Sequence, residues 1–314
     1  MLVLIVIGAM AAMTDTTGQT AVRFDVVVVG GGVAGLSGAL TLARSRRSVL
    51  VIDGGEPRNA PAAAVHGFLS RDGMSPTALL EAGRREIRGY GAQIRVGHVT
   101  AAERTEDGFV VALEDGSSLS ARRLLVATGL VEELPDIPGV RERWGRDVLH
   151  CPYCHGWEVR DQAIGVLGSG PLAIHQALLF RQLTTDLTLF LHTGPQPTDD
   201  EAEQLTARGI AVIDGEVASL EVVDDHLTGV RLRSGEIIPR EAVIVGPRFV
   251  ARTNALSDLG LKATAHPFGI DVGEHIDAEP TGLTSQASGS PATSPISPRQ
   301  SAAPPTPAFA SPPP

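Results

Sequence analysis

The sequence predicts an α/β protein with two parallel-sheet domains, the second inserted into the first. Two observations support this prediction. A glycine-rich turn directly after an apolar run occurs twice, at 30–35 and 168–173, and β-branched runs alternate with helical stretches. The composition agrees, because 43% of the residues are hydrophobic but only 4% are aromatic, and 314 residues are enough for two cores.

The first unit begins with the β-branched run at 25–29, which is typical of a strand buried on both faces of a parallel sheet. Gly30 permits a tight turn, Gly32 lets the backbone approach a pyrophosphate, and Gly35 lets the following helix lie close to the strand. A second strand, at 48–53, ends in an acid at the position that binds a ribose in Rossmann-like units. The predicted dinucleotide contacts are Gly30, Gly31, Gly32, Val33, Ala34, Gly35 and Asp53.

The segment that follows is expected to contain a loop, a helix and an antiparallel meander. The loop carries Asn59 and His66, and a loop in this place can fold back over a bound cofactor; ordinary loop polarity is the alternative. A helical stretch at 76–90 and short strands with polar turns up to 126 come next. They end at Thr128 and Gly129, where small residues allow a ligand to approach.

A second strand–turn–helix unit starts at Ala163 and repeats the first. Its turn contains Gly168, Gly170 and Ala173, and a strand at 187–191 follows the helix. Two such units predict one site for a flavin dinucleotide and another for a nicotinamide dinucleotide. The second strand is followed by His-Thr-Gly, without an acid for a ribose or arginines for a 2′-phosphate, which weakens the predicted nicotinamide site.

Both cysteines of the chain lie between the two units, at Cys151 and Cys154. Two cysteines separated by two residues can close a small disulfide ring, and a thiolate near an imidazole such as that of His155 has a lowered pKa. The pair therefore predicts reversible dithiol–disulfide chemistry. Two cysteines cannot form a disulfide framework, so a reducing cytoplasm is the expected compartment.

Four other interpretations of this segment fit the sequence less well. The spelling CxxCH is also that of c-type haem attachment, which requires export. The spelling CPYC also occurs in glutaredoxins, where it lies near the start of the domain, whereas a long domain precedes it here. A zinc site would need four ligands unusually close in sequence. Two inert core cysteines would not explain the proline and the flanking histidines.

The charge of the chain excludes some partners. A net charge of −10 and a pI near 5.4 argue against nucleic acid and anionic membranes. The apolar segment 1–13 has no leading Lys or Arg and is too short to span a membrane. We expect translation from Met13 and a cytoplasmic protein, with an export signal as the alternative.

The order of GGGVAG, ATG, CPYCHG and GSGPLA resembles the low-molecular-weight thioredoxin reductases of the pyridine nucleotide-disulphide oxidoreductases, over about residues 24–284. The resemblance implies FAD contacts at Gly30, Gly31, Gly32, Val33, Ala34, Gly35, Asp53, Asn59, His66, Val99, Thr128 and Gly129. It implies that Gly168, Gly170 and Ala173 lie against the pyrophosphate of NAD(P)H. It also implies a homodimer.

By the same resemblance, Cys154 faces the flavin and Cys151 exchanges with the substrate, which is a thioredoxin-like protein or a small-molecule dithiol or disulfide. His155 replaces the family's acid, and an imidazole can still transfer a proton. CxxCHG with a weakened nucleotide site is also similar to the FAD- and oxygen-dependent dithiol oxidases of gliotoxin- and holomycin-type natural products. A chain that is unable to hold FAD, without catalysis, is the remaining alternative.

The expected organisation is an N-terminal extension at 1–21, an FAD domain at 22–132 and 248–285, and an inserted nucleotide domain at 133–247 that carries the CxxC. The family's last flavin motif is expected after 279–285, but residues 286–314 are a Ser/Pro/Ala-rich tract, predicted to be disordered. A shift of reading frame near Ser285 is our hypothesis for this tract, and a genuine disordered tail is the alternative. Rotation of the inserted domain about linkers near Val131 and Pro247 is expected.

Overall fold

The computed structural model describes residues 5–8, 23–261, 263–265 and 273–276. All of them belong to one compact unit, Met1–Thr284. The expected approach to a last flavin motif at 279–285, the tract at 286–314 and the expected start at Met13 lie outside the described residues. Every helix within the described ranges is too short or too polar to serve as a membrane span.

The first domain contains a seven-stranded sheet of order β4-β3-β2-β7-β6-β5, with β1 paired to β7. Strand β2 runs parallel to β3 and β7, whereas β5, β6 and β7 form an antiparallel meander. Its elements are β1 (Ile5–Gly8), β2 (Arg23–Val29), α1 (Val33–Arg44), β3 (Val49–Asp53), α2 (Pro76–Gly89), β4 (Gln93–Val96), β5 (Val99–Thr105), β6 (Gly108–Leu113) and β7 (Ser118–Val126).

Strand β2 is buried on both faces, as its continuous valine run predicts. Val26 and Val28 pack with α1 and α2, whereas Val27 and Val29 pack with the meander and with the later segment around Leu256. Burying a valine side chain contributes roughly 1.5–3 kcal/mol. The run therefore fixes the strand whose carboxyl end enters the first glycine turn.

The inserted domain has a five-stranded parallel sheet of order β12-β11-β10-β16-β9 and a separate antiparallel sheet, β13-β14-β15. Its elements are α3 (Val140–Arg143), β9 (Val148–Leu149), α4 (Pro152–His155), β10 (Ile164–Leu167), α5 (Ala173–Phe180), β11 (Leu187–Phe190), α6 (Asp199–Ala207), β12 (Ala211–Ile213), β13 (Val217–Val223), β14 (His226–Leu232), β15 (Ile237–Pro239) and β16 (Ala242–Ile244). The mixed α/β architecture with two parallel-sheet units is thus as predicted.

The chain passes between the two domains in two strands that pair with each other. Strands β8 (Leu130–Glu133) and β17 (Arg248–Ala251) are antiparallel, and Val131 lies opposite Val250. The described part of the return contains a 3₁₀ helix (Asn254–Leu259), β18 (Ala263–Ala265) and β19 (Glu274–Ile276). The predicted linkers near Val131 and Pro247 fall within or directly before this strand pair, and rotation about them stays a prediction.

Candidate active site

The first glycine turn connects β2 to α1 at the carboxyl edge of the sheet. Gly30 has φ +110°, and a Cβ there would overlap the carbonyl oxygen of Ala127, so only glycine fits. Gly32 is the N-cap of α1, without a side-chain cap, and the space beside it is open. The first amides of α1 therefore face an open side, which suits the pyrophosphate of a dinucleotide.

Asp53 ends β3 beside this turn and is nearly buried, with 9% exposed. One carboxylate oxygen accepts a hydrogen bond from the amide of Gly55 at 3.0 Å, and the other accepts from Arg84 on α2 at 2.6 Å. Each carboxylate oxygen can accept a further bond, so the hydroxyl groups of a ribose remain possible ligands. The sequence interpretation missed Arg84, which belongs to no motif and reaches Asp53 across 31 residues.

The other predicted flavin residues lie in three places. Thr128 and Gly129 follow β7 directly after Ala127, whose oxygen contacts the turn at Gly30. Val99 begins β5 and is half-buried against the core of the first domain. Asn59 lies in the loop after β3, where its carbonyl oxygen accepts from the amide of Ala62 at 3.1 Å. The turn, Asp53 and Thr128–Gly129 thus come together, whereas Asn59 belongs to a separate loop.

The dithiol lies at the start of α4, with Cys151 as the N-cap and a proline directly after it. The Sγ atoms of Cys151 and Cys154 are 2.8 Å apart, and both thiols are free. The hydrogen bond from the Cys154 thiol is the main cause that lowers the pKa of Cys151 to about 6, and the amides of Cys154 and Tyr153 act in the same direction. The same contact, with burial, raises the pKa of Cys154. At neutral pH, Cys151 is therefore the thiolate and Cys154 the thiol.

His155 follows the second cysteine and provides a buried nitrogen. Burial is the main cause that lowers its pKa, while the charge of Glu158 raises it and that of His66 lowers it. Its Nε2 atom has no hydrogen-bond partner among the residues that the structure describes. At neutral pH the imidazole is therefore uncharged, and Nε2 can accept a proton.

A loop of the first domain, at 54–75, faces the dithiol. Arg58 donates to Glu132 of β8 at 2.7 Å, and its positive charge also lowers the pKa of Cys151. His66 Nε2 lies 3.3 Å from Glu158 Oε1, just beyond α4. Sequence reasoning did not select Glu132 or Glu158, because these contacts join segments that lie far apart along the chain.

The second glycine turn borders a cavity of about 410 Å³ at the carboxyl edge of the inserted sheet. Gly170 and Ala173 line this cavity, whereas Gly168 packs against the backbone at Phe190 and Leu191. Gln176, which is also in the lining, lies 3.1 Å from Nδ1 of His150, the residue before Cys151. The cavity therefore lies near the dithiol as well as the second turn.

The cavity lining only partly fits a nicotinamide dinucleotide. The turn, and the lining atoms Ser169 Oγ and Gln176 Oε1, which are buried and without partners among the described residues, could receive a polar ligand. Where an acid for a ribose would follow β11, the chain has His192, whose Nδ1 accepts from the amide of Val217 at 3.0 Å. Arg248, the arginine of the lining, pairs with Glu133. In the described ranges, no cluster of three or more His, Cys, Asp or Glu residues is arranged to hold a metal ion.

Comparisons with known proteins agree with this geometry. The family model "Pyridine nucleotide-disulphide oxidoreductase" matches residues 24–276. Thioredoxin reductase tcpT of Claviceps purpurea is 37% identical over 175 residues, which are 53% of this chain and 54% of that protein. Thioredoxin reductase sirT of Leptosphaeria maculans is 30% identical over 258 residues, which are 77% of this chain and 79% of that protein. The chain thus spans about half the length of tcpT and most of sirT.

Among solved structures, the crystal structure of HlmI is similar to this chain. It has a TM-score of 0.77 and 51% sequence identity, and the match covers 84% of this chain and 81% of HlmI. The similarity therefore covers most of both chains.

Proposed function

Because this chain belongs to the pyridine nucleotide-disulphide oxidoreductase family, we propose that it is an FAD-dependent thiol–disulfide oxidoreductase that works through Cys151 and Cys154. The observation that carries the proposal is the paired state of the two sulfur atoms, which lie 2.8 Å apart with the pKa of Cys151 lowered and that of Cys154 raised. One thiolate beside one thiol is the arrangement that disulfide exchange requires.

FAD is the cofactor that the family implies, and the first glycine turn fits it. The open amides at Gly32 would hold the pyrophosphate, and Asp53 would accept from the ribose. When bound, FAD supplies or accepts the electron pair that opens or closes the Cys151–Cys154 disulfide. We propose that the other predicted contacts also bind FAD. They are Gly30, Gly31, Val33, Ala34, Gly35, Asn59, His66, Val99, Thr128 and Gly129.

In the reductive direction, the thiolate of Cys151 attacks one sulfur of a substrate disulfide. A mixed disulfide forms, and the other substrate sulfur leaves as a thiolate and takes a proton. Cys154 then loses its proton, for which we propose the imidazole of His155 as the acceptor after a small movement, and attacks the Sγ of Cys151, which releases the second substrate thiolate. Two electrons pass to the substrate, and the Cys151–Cys154 pair is left as a disulfide.

A second candidate function is the reverse direction, in which a small-molecule dithiol is closed to a disulfide and O₂ accepts the electron pair through FAD. The observation that favours it is the end of β11, where His192 follows instead of an acid, while Arg248 of the cavity lining pairs with Glu133 and Glu274. The same exchange steps then run from the Cys151–Cys154 disulfide to the dithiol.

The partner that fits either direction is a thiol or disulfide compound, either a thioredoxin-like protein or a small molecule. For the reductase direction, we propose NAD(P)H as the electron donor, bound at Gly168, Gly170 and Ala173. We also propose a cytoplasmic homodimer, with the inserted domain at 133–247 between the two parts of the FAD domain. A partner of nucleic acid is not expected, because the net charge is −10.

The test uses the full chain with bound FAD under anaerobic conditions and follows the flavin absorbance. If the protein is a reductase, NADPH or NADH will bleach the flavin within the mixing time. If it is a dithiol oxidase, a small dithiol such as dithiothreitol will bleach it, and air will restore the colour with consumption of O₂. Bound flavin that responds to neither reductant would contradict the proposal, and a chain that binds no FAD would favour the non-catalytic alternative.

A further inference from the structure

The imidazole of His66 lies between two carboxylates that come from different parts of the chain. Its Nδ1 atom is 3.5 Å from Asp72 Oδ2 in its own loop, and its Nε2 atom is 3.3 Å from Glu158 Oε1 beyond α4. Asp72 also accepts from the amide of Gly67 at 2.9 Å, which fixes the carboxylate within the loop. His66 therefore connects the loop of the first domain to the segment that carries the dithiol.

This connection lies directly beside His155. The rings of His66 and His155 are 6.5 Å apart and almost perpendicular, at 86°. The groups that face His155 are Glu158, His66 and the backbone of Ala64, and the two charged groups affect its pKa in opposite directions. Asp72 acts one step further away, through His66.

Contacts of this kind are too exposed to contribute much to global stability, because 40% of the Glu158 side chain and 66% of the Asp72 side chain are accessible to solvent. Their position beside His155 is more informative about function than their contribution to stability. The Nε2 atom of His155 is buried and has no partner among the described residues. Burying a polar atom without a hydrogen bond costs folding free energy, so such an atom in a native structure calls for an explanation, such as a catalytic role. The charged neighbours, Glu158 and His66, act on the pKa of His155 through space, without a hydrogen bond to Nε2.

We propose that His66 and Glu158 are positioning residues for His155. Together they dock the loop at 54–75 onto the segment after α4, and they place one basic and one acidic group beside the imidazole to which the proposed function assigns the Cys154 proton. The inference rests on the proposed function, since it assigns a task within the same exchange reaction. It gives His66 a role apart from the flavin contact that the family resemblance implies.

The test separates the two exchange steps in the holoprotein. The holoprotein, reduced by two electrons per FAD, is mixed with 5,5′-dithiobis(2-nitrobenzoate) in an anaerobic stopped-flow instrument from pH 5 to 9, and thionitrobenzoate release is followed up to two equivalents. The first equivalent reports attack by Cys151, and the second reports attack by Cys154, which needs His155. Glu158→Gln is expected to slow the second phase by about two- to fivefold, the kinetic equivalent of one exposed ion pair, and to leave the first phase unchanged.

The pH dependence of the second phase distinguishes tuning from a merely structural effect. Glu158 raises the pKa of His155, so Glu158→Gln is expected to move the acid limb about 0.2–0.7 pH unit lower. His66 lowers that pKa, so His66→Asn is expected to slow the second phase and move the limb in the opposite direction. Glu158→Asp keeps the charge and should retain the wild-type midpoint.

Glu236→Gln, in the turn between β14 and β15 of the inserted domain, is the matched control and should behave as the wild type. If Glu158→Gln and His66→Asn both give second phases that superimpose on the wild-type profile, the inference is wrong. If both slow the reaction without moving the midpoint, they have a structural role only, which also overturns it. If the wild type releases no second equivalent, the proposed function itself fails.

Discussion

Cys154→Ser is expected to turn the protein into a covalent trap for its substrate. The serine hydroxyl can still donate to the Cys151 sulfur and so keep the thiolate, but it cannot attack the mixed disulfide. The first exchange will proceed and the second will not, so turnover should fall by at least about a thousandfold. Mixing with 5,5′-dithiobis(2-nitrobenzoate) should release about one equivalent of thionitrobenzoate, and intact-protein mass spectrometry should show the retained half.

Cys151→Ser is the control, because it also leaves a single cysteine in the pair, now Cys154. The contact with Cys151 is the main cause of the raised pKa of Cys154, whose side chain is exposed. Even without that contact, an ordinary cysteine is mostly a thiol near neutral pH, so Cys154 alone should react slowly. Rapid adduct formation by Cys151→Ser, with none by Cys154→Ser, would reverse the roles assigned to the two cysteines.

Gly35→Val is expected to remove FAD binding. A Cβ at Gly35 would overlap the carbonyl oxygen of Gly30 and lie 3.2 Å from Cγ1 of Val28, so α1 would have to move away from β2. The displaced helix would carry its first amides away from the pyrophosphate position, and the affinity for FAD should fall by at least about a hundredfold. Fluorescence titration of the apoprotein with FAD measures this loss directly.

Gly89→Ala is the matched control for this prediction. Gly89 is the last residue of α2, and nothing lies within 4 Å of the position that its Cβ would take. The variant should therefore bind FAD like the wild type and unfold at the same or a slightly higher temperature. Stoichiometric FAD in purified Gly35→Val would show that the first turn is not the pyrophosphate site.

The parts of the fold that follow from local sequence could be predicted well. The valine run of β2 has to be buried on both faces, and the turn from Gly30 has to be tight, whatever the rest of the chain does. The glycine turns on either side of the cysteines similarly predict two units, and the parallel strands of both sheets confirm them.

The contacts around the dithiol could not be predicted in the same way. Arg58 pairs with Glu132, and His66 with Glu158, across long stretches of sequence, and no local pattern marks these partners. Their pairing depends on how the loop at 54–75 packs against the inserted domain, which is a property of tertiary structure. The same reason applies to Arg84, whose contact with Asp53 appears only once α2 is folded against the first sheet.

In the proposed function, the Cys151–Cys154 pair exchanges electrons with bound FAD. The most direct measurement is an anaerobic titration of the full-length holoprotein with dithionite, followed by flavin absorbance, for the wild type and for the double variant Cys151→Ser/Cys154→Ser. The wild type should take up about four electrons per FAD, two for the flavin and two for the disulfide, and the double variant about two. Uptake of about two electrons by both proteins would contradict the claim.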